Sequence, residues 1–138
     1  MEIKSIFKGW RKSDAAHVYH GRQQDFDQKG KLTRTDIYYF VPALVVNREE
    51  QKGAVIPVGG IEGPPDDAIR AFDQLMFLQR RKPDLPLAIE YPVEIQPVKD
   101  TVTIPTKTGR TELAYSFVKK GEKIEPGFLD WLLGLLGL

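Results

Sequence analysis

At 138 residues, with 41% hydrophobic and 28% charged side chains, the chain has the size and composition of one globular domain. A formal net charge of +1 argues against a protein whose whole purpose is to coat a polyanion. The absence of cysteine rules out a disulfide frame, a thiolate metal site and a cysteine nucleophile, and fits a reducing, cytoplasmic setting.

The N-terminal stretch holds scattered lysines without the apolar core of a secretory signal, and no run reaches the roughly 20 apolar residues that cross a bilayer. A soluble protein is expected. Ile3, Ile6 and Phe7 suggest a first strand within residues 2–8. Ser13 suits a helix cap through Asp14, Ala15 and Ala16, while Val18 and Tyr19 equally suit a strand, so residues 14–22 stay open between the two. Asp27-Gln28-Lys29-Gly30 has the pattern of a type I turn closed by a left-handed glycine, and predicts a hairpin. Its outgoing strand, residues 32–41, is apolar on both faces through Ile37, Tyr38, Tyr39, Phe40 and Val41. Such a strand is central or meets a partner. Pro42 is expected to interrupt it, with Ala43 to Val46 resuming and a charged connection, residues 47–53, leading into a further hairpin strand, residues 54–58.

Residues 64–82 form the one long stretch with helical apolar spacing: Ala68, Ile69, Phe72, Leu75 and Met76 share a face, widened by Ala71, Phe77 and Leu78. Pro64, Pro65, Asp66 and Asp67 write its start; Arg80, Arg81, Lys82 and Pro83 write its end. The preceding Gly59-Gly60-x-x-Gly63 sits where a phosphate cradle would, but the two prolines remove donor amides and the acids repel an anion. Beyond the helix, Leu87, Ile89, Tyr91, Val93 and Ile95 alternate with Ala88, Glu90, Pro92, Glu94 and Gln96, which predicts a half-buried strand with one wet face and a bulge or edge at its prolines. A last hairpin turns at residues 107–110.

Residues 128–138 are the anomaly. Phe128, Trp131 and six leucines follow the break at Pro126-Gly127, with Asp130 the single charged side chain. At about 1.5–3 kcal/mol for each large apolar side chain buried, leaving them in water forfeits on the order of 10 kcal/mol, comparable to the stability of a whole domain. Something must cover them. Phe128, Leu129, Trp131, Leu132, Leu135 and Leu136 are therefore the candidate partner-binding residues, on a short C-terminal helix that docks on a second copy of the chain or on another protein. Lys119, Lys120 and Lys123 invite a membrane-surface reading, but the segment has no basic face.

Other residues suggest other chemistry. Tyr38 and Phe40, with Arg11, Lys12 and Arg34, are candidates for a stacking surface that binds single-stranded nucleic acid. Asp25-x-Asp27-x-x-Gly30-x-Leu32-Thr33-x-x-Asp36 resembles the calcium loop of EF-hand proteins, although Lys29 stands where a ligand oxygen is expected and Asp36 is shorter than the usual glutamate. His17 and His20 converge as metal ligands on a helix but not on a strand. No cofactor is implied and no nucleophile context is present; Glu90 and Glu94, about 13 Å apart on a strand, are too far apart to act on one bond. The expectation is an α+β domain over residues 1–127, a mainly antiparallel sheet of hairpins with one long helix across it, followed by the apolar segment 128–138. Its expected role is non-catalytic binding or assembly as a homo-oligomer, with nucleic-acid binding as the alternative.

Overall fold

The computed structural model describes residues 2–7, 9–96, 101–121 and 135. These residues form a curled, mixed sheet of eight strands with one long helix: β1 (Glu2–Ser5), β2 (Arg11–Lys12), β3 (His17–Asp27), β4 (Leu32–Asn47), β5 (Lys52–Ile61), α1 (Pro65–Arg81), β6 (Leu87–Glu94), β7 (Val102–Thr106) and β8 (Gly109–Lys120). The sheet runs β1-β5-β4-β3-β8-β7, with β6 also on β4 and β2 on β6. It departs from an all-hairpin meander because β1 pairs with β5 in parallel.

The β3–β4 hairpin forms as its turn residues dictate. Asp27 Oδ1 accepts from the Lys29 and Lys31 amides, both at 2.9 Å, and Gly30 takes the left-handed φ of +82°. From there β4 runs unbroken through Pro42, against the expected interruption. Along one edge, β4 pairs with β3 as far as Phe40 and with β6 from Ala43 onward. Pro42 stands at this handover, opposite Pro57 of β5, where the missing amide costs the ladder little.

Because β4 is central, its alternation builds two cores. Phe40, Leu44 and Val46 face one side with Phe7, Tyr19, Val55, Val93 and Ile95. Val41 and Ala43 face the other with Val18, Val58 and, from the helix, Ala68 and Phe72. Strand β6 departs from the expected single inward face. Its register against β4 shifts between Leu44–Tyr91 and Val45–Ile89, a bulge at Glu90 that reverses the phase of the strand. Ala88, Val93 and Ile95 consequently join the first core and Ile89 the second, while Leu87 is left exposed.

Helix α1 begins and ends as its sequence signals require, with Asp66 and Asp67 in the first turn and Arg80 and Arg81 in the last. Gly59, at φ +66°, lets it approach β5: a Cβ there would lie 3.3 Å from both the Ala68 carbonyl oxygen and the Phe72 nitrogen. At the other end, the Gln79 side chain reads the backbone of β6, accepting from Ile89 N–H at 2.6 Å and donating to the Ile89 carbonyl at 2.8 Å.

Candidate functional site

The residues proposed for nucleic-acid stacking do not form one surface. Phe40 is 1% exposed, its ring centroid 5.7 Å from Phe7 and 5.9 Å from Tyr19, so it is a core side chain with no face for a base. Tyr38 is half-buried beside it, and burial, reinforced by the Asp36 carboxylate, raises its hydroxyl pKa. Arg11 pairs with Glu94 at 2.8 Å, Lys12 Nζ lies 5.1 Å from the Tyr91 ring centroid, and Arg34 pairs with Asp36 at 2.8 Å. Arg34 is nine residues along β4 from Ala43, the partner of Pro92 on the strand that carries Glu94. At about 3.3 Å per residue, that is roughly 30 Å of strand between the basic groups.

The metal candidates are likewise separated. Residues 17–27 are strand, which resolves the ambiguity left by Ser13: instead of capping a helix, its hydroxyl donates to the Ala15 carbonyl and lies 2.9 Å from His17 Nδ1. His17 packs toward Phe117 on the Tyr19 side of the strand, and His20 toward Tyr39 on the other. Asp27 caps the hairpin turn, Asp25 accepts from Thr111 Oγ1 at 2.8 Å, and Asp36 holds Arg34. Among the described residues no group of three or more His, Asp or Glu side chains is arranged to hold a metal.

The feature that stands out is apolar, and it lies where periodicity predicts burial. Leu75 and Leu78 belong to the apolar stripe of α1 but are 41% and 49% exposed, and Leu87, an expected inward residue, is 59% exposed. The helix packs on β3, β4, β5 and β6, but Leu75 and Leu78 on its second half are left uncovered on the side toward Leu85 and Leu87. Two adjoining hollows result. One, of about 310 Å³, is lined by Val45, Ala54, Ile56 and Leu87. The other, of about 320 Å³, lies between Leu75, Leu78, Leu85 and Ile89 and shares Val45 and Leu87 with the first. Together they make one apolar groove. Lys4, Lys52 and Lys82 stand along it with the amides of Asn47 and Gln79, and no described lining residue is a carboxylate. Clustered exposed leucines of this kind mark interaction surfaces on soluble folds. Single-residue patterns cannot reveal such a groove, since each of its leucines reads as core.

Of the candidate partner-binding residues, Phe128, Leu129, Trp131, Leu132 and Leu136 lie outside the described residues, as does the expected C-terminal helix. Leu135 is described, and is 65% exposed. No described helix is long and apolar enough to cross a membrane. Comparison of the chain with protein-family models, curated proteins and solved structures finds no match.

Proposed function

We propose that this protein is a non-catalytic binding and assembly module that self-associates through its apolar C-terminal segment, residues 128–138. The observation that carries this reading is the open groove beside α1, where Ile56, Leu75, Leu78, Leu85 and Leu87 are each more than a third exposed. The chain thus has two apolar surfaces to cover, one in the groove and one in the segment whose leucines exceed what a monomer's surface usually carries. Association removes both from water, at about 25 cal/mol for each Å² of apolar area.

The test is the solution mass of the intact chain beside a chain truncated after Gly127, measured by light scattering on a sizing column. An oligomeric intact chain and a folded monomeric truncation support the reading. An intact chain that is monomeric at every concentration overturns it. A truncation that fails to fold shows instead that the segment belongs to the core of its own domain.

A further inference from the structure

We propose that the groove between α1 and the open end of the sheet is the seat of the chain's own segment, residues 128–138. This rests on the reading that the segment is the adhesive element, and it names the surface that receives it. Three observations converge.

The first is reach. Lys119 pairs with Asp66 in the first turn of α1, and Gly121 donates its amide to the Ala16 carbonyl at 2.5 Å, so the chain leaves the sheet beside the start of the helix. A Cβ on Gly121 would run into the Ile69 side chain. Ile69 is six residues before Leu75 and nine before Leu78, which at 1.5 Å per residue places the groove wall about 9–14 Å along the helix. Seven extended residues, from Gly121 to Phe128, span up to about 25 Å. The segment therefore begins within range of the groove of its own copy.

The second is charge. The groove has lysines along it and no described carboxylate, while residues 128–138 contain one acid, Asp130, and no base. The third is that both members are uncovered: Leu87 is 59% exposed in the groove, and Leu135 is 65% exposed in the segment.

The full chain has no cysteine, so an introduced pair reports one contact without background. Leu87→Cys would be combined with Leu129→Cys, Leu132→Cys or Leu136→Cys in turn, both as mixtures of singly substituted chains and as doubly substituted chains. Leu32→Cys serves as the control, because Leu32 is 45% exposed at the opposite end of β4 from Asn47, the partner of Leu87. A seated segment brings at least one pair within the roughly 7 Å Cα separation that a disulfide tolerates, with cross-linking at least tenfold above the control. In a Trp10→Phe background, Leu78→Glu with Leu87→Glu should shift Trp131 emission to the red and increase its quenching by acrylamide.

Cross-linking between chains, together with an oligomeric mass for the unmodified chain, supports both the seat and the assembly reading. Cross-linking only within a chain, together with a monomeric mass, keeps the seat and overturns self-association. An oligomer with no pair above the control and unchanged Trp131 emission keeps self-association and overturns the seat. The same negative result with a monomeric mass overturns both. An anionic lipid or a foreign protein occupying the groove would give that last pattern.

Discussion

The hydroxyl of Tyr19 on β3 both donates to the carbonyl of Ile95 at 2.7 Å and accepts from its amide at 3.0 Å, taking the place of a strand neighbour at the end of β6. Two elements 76 residues apart are thereby joined inside the first core. Tyr19→Phe keeps the ring and leaves the Ile95 amide and carbonyl buried without this partner, so unfolding in urea should show a loss of about 1–3 kcal/mol. Burial pushes the Tyr19 hydroxyl up to about 12, against an ordinary value near 10. A proton held more tightly by the folded chain contributes stability that is fully present below pH 10 and is lost as pH rises through 12. The fall in urea midpoint between pH 9 and pH 11 should therefore be shallower in Tyr19→Phe than in the unmodified chain.

Gln79 does for α1 and β6 what Tyr19 does for β3 and β6, since its amide pairs with both backbone groups of Ile89. Gln79→Ala should cost about 1–2 kcal/mol in denaturant titration and raise the hydrogen-exchange rate of the Ile89 amide. Gln79→Glu keeps the acceptor and removes the donor, leaving one carboxylate oxygen against the Ile89 carbonyl oxygen. Its loss should be at least as large.

Gly59→Ala tests the approach of helix to sheet. A left-handed backbone costs a residue with a Cβ about 1–2 kcal/mol, and the new methyl group would press on the Ala68 carbonyl oxygen and the Phe72 nitrogen at 3.3 Å. Backbone atoms within a helix yield little. The thermal midpoint should fall by several degrees, and Gly60→Ala, whose φ is not in the left-handed region, should fall less.

Leu87→Glu separates groove from core. Because Leu87 is 59% exposed, the substitution should leave the domain folded, losing no more stability than the association it removes, and lower the solution mass to that of the monomer. Phe72→Glu, at a fully buried position on α1, should instead unfold the domain. Far-ultraviolet circular dichroism recorded with the mass distinguishes the two outcomes.

Much of the local structure was legible because its causes are local. Pro65, Asp66, Arg80 and Arg81 delimit α1, and Asp27 with Gly30 makes the β3–β4 turn, through contacts within a few residues of each other. The doubly apolar run around Phe40 implied a strand that is central or meets a partner, and β4 is central, with Phe40 in one core and Val41 in the other while Ile37 stays exposed. What stayed hidden depends on partners distant in the chain. The bulge at Glu90 is defined by register against Leu44 and Val45, so an alternation unbroken in sequence is divided between two cores. Pro42 interrupts nothing, because the strand on that side changes from β3 to β6 at its position.

The candidate site shows the same division. The amino-acid sequence by itself determined that Leu75, Leu78 and Leu87 are apolar residues on elements with an inward face, because periodicity depends only on neighbours along the chain. Only the tertiary structure decided that these leucines remain uncovered, because exposure depends on how far a sheet extends beneath its helix. That extent follows from the order in which β3, β6 and β5 meet β4, and no single segment encodes it.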